Sequence, residues 1–311
     1  MPEPEYVWLP REDLLTFEEI ATLTEIFTSL GVDKVRITGG EPLLRRDLPR
    51  LIDRLAGNGG IADLALTTNG ILLADQAHSL AAAGLARINI SLDTLRRDRF
   101  EALTRFDALT DVLRGIDAAL AAGLQPVKID TVVIRGVNED EIVDLIEYGR
   151  RNNAEVRFIE YMDVAGATRW RADLVVSRRE ILERVSRHYG PIEAIAEETS
   201  APAARFTLQD GSTFGVISST TEPFCRTCDR SRLTADGVWF LCLYATRGID
   251  LRAPLRGGVS VEEIRETIAA EWIRRADRGA ELRLQAGQRT SFLPVIALKR
   301  EPHLEMHTRG G

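Results

Sequence analysis

The sequence predicts an α/β protein in which a parallel sheet curls into a barrel-like half, followed by a smaller α+β region. Three observations support this fold class. Strand-like and helical runs alternate along the first half of the chain, the strands carry polar residues at every second position, and the alternation stops after Asp163. Alternating strands and helices are typical of βαβ units on a parallel sheet. We therefore place the barrel-like half at residues 1–165 and the second region at residues 166–311.

The first predicted element is a helix that runs to about Leu30. Thr16 is positioned to cap its amino terminus, and Glu19, three residues later, completes a capping-box pattern. Gly31 follows the last helical residue, and glycine readily adopts the conformation that ends a helix. Units of strand and helix follow. The strand-like runs begin near Asp33, Ala62, Ala86, Pro126 and Ala154, and the helical runs between them cover residues 47–56, 74–83, 109–122 and 139–152.

Each predicted strand has one apolar face and one polar face. A parallel sheet covered by helices on both sides would be almost uniformly apolar. A polar face instead suits the inside of a barrel that is wide enough to hold a ligand. The alternative is a core of mutually paired polar groups, which five strands together disfavour because Lys and Arg are rarely buried without a partner. The polar positions are Lys34, Arg36 and Thr38; Thr67 and Asn69; Asn89, Ser91 and Asp93; Lys128 and Asp130; and Glu160 and Met162.

Two loops follow predicted strands at the end where barrel chemistry normally lies. Residues 37–44 read Ile-Thr-Gly-Gly-Glu-Pro-Leu-Leu, so Gly39 and Gly40 allow backbone amides to approach a ligand, and Glu41 can accept bonds from an amino group. Residues 67–70 read Thr-Thr-Asn-Gly. Either loop taken alone is equally compatible with an ordinary turn.

After Asp163 the pattern predicts a helix at residues 178–188, a strand pair at 204–208 and 213–217, and a helix at 261–274. All three cysteines of the chain lie between these elements, as C-x2-C-x13-C. A turn at Asp236-Gly237 can fold a short hairpin that brings the third cysteine back to the first two. Three thiolates without a fourth are typical of a metal centre that keeps a position open for a ligand.

Arginines surround these cysteines in the sequence, at Arg226, Arg230 and Arg232. Guanidinium groups suit phosphate and carboxylate oxygens, so we expect an anionic ligand at the metal. The alternative for the cysteines is a zinc ribbon completed by a histidine. The available histidines are His78, His188, His303 and His307.

The composition excludes several classes of function. A net charge of −7 argues against binding to nucleic acid or to an anionic membrane surface. The amino terminus lacks the basic start and apolar run of a signal peptide, and no apolar stretch approaches about 18 residues. We therefore expect a cytoplasmic protein. In that reducing compartment, cysteines favour a metal or cluster over a disulfide.

The ordered set of motifs resembles the GTP 3′,8-cyclase family of radical S-adenosylmethionine (SAM) enzymes, which open molybdenum cofactor biosynthesis. The set comprises residues 37–44, Ile-Ser-Leu-Asp at 90–93, Arg-Phe-Ile-Glu-Tyr-Met-Asp at 157–163, the cysteine pattern and the terminal Gly-Gly. This resemblance implies an incomplete (β/α)6-type radical SAM barrel with a C-terminal α+β extension that carries a second cluster site. It also implies conversion of GTP to (8S)-3′,8-cyclo-7,8-dihydroguanosine 5′-triphosphate, in which an adenosyl radical takes hydrogen from the ribose C3′ and the carbon radical attacks guanine C8.

The resemblance implies roles for individual residues through the motifs that contain them. The SAM-binding positions would be Gly39, Gly40, Glu41, Ser91 and Met162. The GTP-binding positions would be Arg36, Thr67, Lys128, Arg230, Ser231 and Arg232. A 4Fe–4S cluster whose unique iron binds the guanine base would be held by Cys225, Cys228 and Cys242. The tail that reaches into the active site would end in Gly310 and Gly311, which would otherwise be expected to fray.

The sequence departs from the family pattern at its amino terminus. The C-x3-C-x2-C loop that holds the family's first 4Fe–4S cluster is absent, and the opening helix has no strand before it. We therefore expect a fragment of a longer protein that cannot cleave SAM alone. The alternatives are an inactive homologue that binds GTP and SAM, a first cluster supplied by a partner, and a zinc-dependent barrel enzyme. Asp130 stands where the family usually has asparagine.

The expected partners follow from the same resemblance. They are GTP as substrate, an electron donor, and the downstream cyclic pyranopterin monophosphate synthase step. The helical face at residues 265–275 is compatible with a homodimer or with a solvated surface.

Overall fold

The computed structural model describes residues 8–164, 167, 170–197, 199–286, 289, 292–293 and 295–310. Its centre is an eight-stranded sheet with the order β1-β2-β3-β4-β5-β8-β7-β6. Strands β1 to β5 and β8 are parallel to one another, whereas β7 and β6 run antiparallel at one edge. The strands are β1 Lys34–Ile37, β2 Asp63–Thr68, β3 Arg87–Ser91, β4 Val127–Val133, β5 Glu155–Glu160, β6 Glu193–Ala194, β7 Ala204–Thr207 and β8 Thr213–Ile217.

Helices cover one face of this sheet and also build much of the C-terminal region. They are α1 Phe17–Ser29, α2 Leu48–Ala56, α3 Leu73–Ala82, α4 Arg97–Thr104, α5 Leu109–Ala121, α6 Ile142–Arg151, α7 Arg178–Tyr189, α8 Arg252–Arg256, α9 Val261–Ile273, α10 Gly279–Gln285, α11 Val295–Arg300 and α12 Met306–Arg309. In the described part of the chain, no helix is long and apolar enough to cross a membrane.

The first helix forms as the sequence predicts. The Thr16 hydroxyl accepts a bond from the Glu19 amide at 3.1 Å, and the Glu19 carboxylate accepts one from the Thr16 amide at 2.8 Å. This reciprocal pair satisfies two amide groups that have no partner within the helix. Gly31 follows with a φ of +95°, a conformation that costs glycine little.

A second, three-stranded antiparallel sheet carries the cysteine hairpin. It consists of β9 Arg232–Leu233, β10 Val238–Phe240 and β11 Ile249–Asp250, with β10 in the middle. The hairpin predicted at Asp236-Gly237 is confirmed, because β9 and β10 pair on either side of that turn. Gly237 has a φ of +90°, and a side chain there would meet the Arg252 backbone.

The two predicted regions share structural elements. Strand β8 lies beyond residue 166, yet it pairs in parallel with β5 and continues the main sheet. In the opposite direction, α1 packs its Leu23 and Ile26 against Trp239 of β10 and Ile264 of α9. The C-terminal region therefore contributes a strand to the main sheet and also packs against the first helix of the chain.

The strand register brings the predicted polar residues onto one face. Asn89 lies opposite Thr67 on one side and Lys128 on the other, and Asp130 lies opposite Ser91. One expectation was wrong, because the polar face of β5 is formed by Glu155 and Arg157 rather than by Glu160. Those two residues align with Lys128 and Asp130, whereas Glu160 shares the helix-covered face with the buried Val156 and Phe158.

Candidate active site

The polar face of the main sheet is strongly cationic. Arg36 on β1 is exposed, yet burial within the surrounding walls lowers its pKa, and Arg87, Arg157 and Arg230 lower it further while Asp130 opposes them. Side chains from β3, β4, β5 and the cysteine segment thus converge on Arg36. The cations around Arg36 are Arg87, Arg157 and Arg230, and we call the space that these side chains surround on the polar face of the sheet the cleft.

Lys128 lies in the same cleft. Burial, together with Arg157 and Arg87, lowers the pKa of this lysine to about 8, while Glu155 acts in the opposite direction. The Glu155 carboxylate is already bonded to Arg157 at 2.9 Å and to Arg205 at 2.7 Å. The Lys128 ammonium therefore has no carboxylate of its own among the described residues, and a bound anion would provide the missing negative charge.

Asp130, which departs from the family pattern, has two differently placed oxygens. Oδ2 accepts a bond from the Asn89 amide at 2.7 Å, while Oδ1 is buried without a hydrogen bond to any described residue. Nearby, the Thr67 hydroxyl is also buried and unbonded among the described residues. Partly unsatisfied polar groups in a cleft are available to a ligand.

The Gly-Gly-Glu loop is held by its own glutamate. One Glu41 oxygen accepts the Thr68 hydroxyl at 2.7 Å and the Leu43 amide at 2.9 Å, and the other accepts the Asn69 amide at 2.8 Å. The sequence led us to expect Glu41 to face a ligand amine, but its bonds join the loops after β1 and β2. Among the other predicted SAM positions, Gly40 and Ser91 are exposed and Met162 is half-buried.

The cysteine segment approaches this cleft from the C-terminal region. Cys225 begins a short 3-10 turn, Cys225–Thr227, and the Cys228 amide bonds back to the Cys225 carbonyl at 3.3 Å. All three cysteines are free and half-buried. Burial raises the pKa of the Cys228 thiol, but Arg230 and Arg275 outweigh burial and the net shift is downward. Thiolate is the form that binds metal.

Arg232 lies between two of the cysteines, Cys228 and Cys242, and the tail. Burial lowers its pKa to about 10, with Arg230 acting in the same direction and Cys242 and Cys228 against it. Both sulfurs therefore lie within electrostatic reach of one guanidinium. Arg230 contacts the Cys228 sulfur at 3.3 Å, whereas Arg226 is exposed on the surface. Ser231, between Arg230 and Arg232 in the sequence, is half-buried.

The C-terminal tail is packed into the molecule. Gly310 is buried with a φ of +75°, and its carbonyl accepts a bond from Arg232 at 3.3 Å. A Cβ at this position would come within 2.2 Å of Thr38, beside the Gly-Gly loop. Only glycine fits so close an approach with that φ. Gly311 lies outside the described residues.

The backbone and the cations around the cysteines suit a metal cluster. A side chain at Gly279 would come within 3.1 Å of the Cys242 sulfur, so the backbone itself approaches that ligand position. Arg275 donates to the Cys228 carbonyl at 3.1 Å. Cys228 and Cys242 are free, half-buried thiols near cationic groups and suit the thiolate ligands of a cluster, and Cys225 is also free and half-buried.

Within the described residues, no three or more His, Cys, Asp or Glu side chains are grouped around a single metal ion. In particular, the structure does not complete a zinc site with a histidine. His303 is engaged by Asp236 at 2.6 Å, and His188 packs edge-on against Tyr189.

Sequence reasoning did not identify several residues of the cleft. Arg87 lies on the same face of β3 as the predicted Asn89, two residues before it. Arg157 of β5 lies opposite the predicted Asp130 of β4. Applying the two-residue period to every strand position would have found both of them. Asp163 and Arg309 gave no such signal, because their partners are far away in the sequence.

Comparison with known proteins identifies the family of the chain. Residues 4–149 match the Radical SAM superfamily, and residues 154–281 match the family described as Molybdenum Cofactor Synthesis C. GTP 3′,8-cyclase 3 of Mycobacterium bovis is 56% identical over 100% of this chain and 83% of its own length. GTP 3′,8-cyclase 1 of Mycobacterium tuberculosis is 55% identical over 100% of this chain and 88% of its own length.

The chain belongs to the GTP 3′,8-cyclase family. Members are radical SAM enzymes of molybdenum cofactor biosynthesis, and radical SAM proteins use a 4Fe–4S cluster and SAM. The fold agrees with this assignment. The crystal structure of Streptococcus suis SuiB bound to S-adenosylmethionine aligns with 81% of this chain and 61% of its own chain, at 15% identity and a TM-score of 0.57. This likeness supports the mostly parallel sheet described above as the fold of this chain.

Proposed function

We propose that this chain binds GTP in the cationic cleft and forms the substrate-binding body of a GTP 3′,8-cyclase. The observation that carries the proposal is the cluster of Arg36, Arg87, Lys128 and Arg157 on one sheet face, where burial and, after it, the neighbouring cations lower the pKa of Arg36 and of Lys128. Like charges in a cleft are mutually destabilising unless an anion joins them. Arg87 already pairs with Asp63 and Arg157 with Glu155, so a triphosphate would supply the counter-charge for Arg36 and Lys128.

The cysteines and the Gly-Gly-Glu loop lie near this cationic cleft, and we propose that they bind the two cofactors. We assign Cys225, Cys228 and Cys242 to a 4Fe–4S cluster whose open iron accepts the guanine base, and Gly39, Gly40, Ser91 and Met162 to SAM. In a radical SAM enzyme, the cofactor pair supplies the radical that removes hydrogen from the substrate.

The residues of this chain would act by binding and positioning. Arginine and lysine side chains hold the triphosphate at the polar face, and Arg230 extends the cationic surface to the cysteines. Glu41 fixes the loops after β1 and β2 relative to each other. The buried Gly310 closes the space beside Thr38 and excludes water there. Correct positioning of two reacting atoms is where an intramolecular ring closure gains most.

Anaerobic reconstitution tests the cluster assignment. Because the sequence contains three cysteines, all in this site, we expect the full chain to bind about four irons with matching sulfide. GTP should then change the electron paramagnetic resonance spectrum of the reduced cluster. Cys242→Ala should lose the iron. A chain that binds zinc instead, or a cluster that GTP leaves unchanged, would contradict the assignment.

A single substitution tests the phosphate site. Arg36→Gln removes one charge-assisted donor and should weaken GTP binding by about 1.5–3 kcal/mol, or about 10- to 150-fold. Lys34→Gln is the matched control, because Lys34 is exposed on the same face of the same strand. Isothermal titration of both variants with GTP measures the difference. Equal affinities would exclude Arg36 from the site.

A further inference from the structure

Arg309, in the C-terminal tail, is a nearly buried cation with one group left unbonded. Its side chain is inserted beside the cysteine hairpin, and only 2% of the residue is exposed. Nε donates to the His303 carbonyl at 2.7 Å, and Nη1 donates to the Leu243 carbonyl at 2.8 Å. Nη2 is buried without a hydrogen bond to any described residue. The guanidinium also stacks over Phe240, with its carbon 4.3 Å from the ring centroid.

This arrangement lacks a negative partner for the charge. Among the described residues, no carboxylate is paired with Arg309, and a guanidinium remains charged at any ordinary pH. A buried cation without a counter-charge costs several kcal/mol. The bond to Leu243 places the guanidinium next to Cys242, whose charged form would favour the arginine. A thiol is neutral, but a metal-bound thiolate is negative.

We propose that Arg309 provides the counter-charge for the cluster at Cys242, so that binding of the cluster locks the C-terminal tail, residues 302–310, in its buried position. This inference rests on the proposed cluster site. The tail is joined to the rest of the molecule at three further points, two on the hairpin and one beside the main sheet. His303 pairs with Asp236 at 2.6 Å, Arg232 bonds to the Gly310 carbonyl, and Gly310 packs on Thr38.

The consequence is a coupling between cluster loading and the shape of the active site. If the docked tail stabilises the cluster, the cluster must stabilise the docked tail by the same free energy. A chain without cluster would therefore release Gly310 from Thr38 more often. The substrate cleft would therefore be complete in a larger fraction of the molecules that carry the cluster.

The test compares the full chain before and after anaerobic reconstitution with iron and sulfide. Hydrogen exchange of the tail amides should slow by about 5- to 150-fold on reconstitution, the usual range of such couplings. Arg309→Gln should lose this gain. The reduction potential of its cluster should become more negative, because a nearby cation stabilises the reduced form. Arg309→Lys keeps the charge and should retain the potential while losing part of the protection. Arg300→Gln, at an exposed arginine of α11, is the control and should change neither property.

Three outcomes would overturn the inference. The first is equal exchange of the wild-type tail with and without cluster, which needs no variant and therefore stands even if Arg309→Gln fails to fold. The second is an unchanged potential in Arg309→Gln, and the third is an equal effect of Arg300→Gln. These results differ from a failure of the proposed function, in which the wild-type chain would bind no cluster at all.

Discussion

At the scale of the residue, the cleft concentrates positive charge where an ordinary core would avoid it. Arg36, Arg157 and Lys128 come from three separate strands, and Arg157 disfavours the charge of both Arg36 and Lys128. Asp130 offsets part of this repulsion, which gives a physical role to the residue that departs from the family pattern. The same carboxylate would oppose a triphosphate, so the cleft balances stability of the free protein against binding of an anion.

The lowered pKa of Lys128 predicts how GTP binding depends on pH. The protonated lysine attracts phosphate, and in the free protein it loses its proton as pH rises through about 8. A bound triphosphate raises the lysine pKa again, so GTP affinity should fall progressively above about pH 8. We expect titrations between about pH 7 and 9.5 to show this fall. Lys128→Met should bind GTP more weakly at pH 7 and show a much flatter dependence. The same slope in both proteins would contradict the assignment.

The sequence predicted the residues of the cleft unevenly, for a physical reason. Arg36, Thr67 and Lys128 lie on strands, where polar and apolar residues alternate, and this alternation can be read directly from the sequence. Arg309 depends on the Leu243 carbonyl and on a ring of β10, which only the folded chain brings next to it. Tertiary hydrogen bonds of this kind leave no local pattern in the sequence.

At the scale of the element, most helices and strands were predictable because local signals agree with the fold. The starts of β1 to β5 lie within one residue of the predicted positions, and the capping box of α1 is formed. Helix α4 was missed because Phe100 is its only buried residue, so it has almost no apolar stripe. It is held instead by ion pairs, such as that of Arg99 with Glu141. The position of β8 beside β5 was also invisible, since pairing between distant strands has no local signature.

Glu160 shows how one residue can hold several elements together. It is fully buried at the end of β5 and accepts bonds from the amides of Arg178, Thr220 and Thr221. It therefore fixes the start of α7 and the loop after β8 to β5. The sequence predicts this carboxylate to lie in the ligand cleft. A polar residue in a strand looks the same in the sequence whether it bonds to other buried elements or faces a ligand.

Replacing Glu160 should destabilise the protein. Glu160→Gln turns one acceptor into a donor that faces backbone amides, and we expect a loss of about 2–4 kcal/mol of unfolding free energy. Urea denaturation measures this loss. Glu193→Gln, at an exposed residue of β6, should change stability by no more than about 0.5 kcal/mol. A tolerated Glu160→Gln would mean that the loop does not depend on this carboxylate.

At the scale of the whole molecule, the C-terminal region is attached to the sheet by a second buried carboxylate. Asp163 follows β5 and is fully buried. Its oxygens accept bonds from Arg283 at 2.8 Å, from Arg289 at 2.8 Å and from the Tyr244 hydroxyl at 3.0 Å. Arg283 belongs to α10, whose Gly279 packs on Cys242. One hub thus connects the end of the sheet, next to Met162, with the cysteine region.

Asp163 should determine whether the two parts of the molecule unfold together. Burial raises its pKa, but the bonds from Arg289, Arg283 and Tyr244 outweigh burial, and the net shift is downward. A lowered pKa means that the stabilisation is present above the unfolded pKa of about 3.9 and is lost as pH falls through the folded value. Asp163→Asn should remove this acid-side contribution and leave two poorly hydrated arginines without a carboxylate, at a cost of about 3–5 kcal/mol.

The decisive measurement for Asp163→Asn is local hydrogen exchange. We expect α10 and the cysteine hairpin to lose protection, while β2 to β4 stay protected because their contacts do not involve this hub. Asp173→Asn is the control, since Asp173 pairs with Arg171 and its side chain is 61% exposed. Such a surface pair contributes at most about 1 kcal/mol. If Asp163→Asn lowered protection equally throughout the sheet, the molecule would unfold as a single unit, and the cysteine region could not open independently of the substrate cleft.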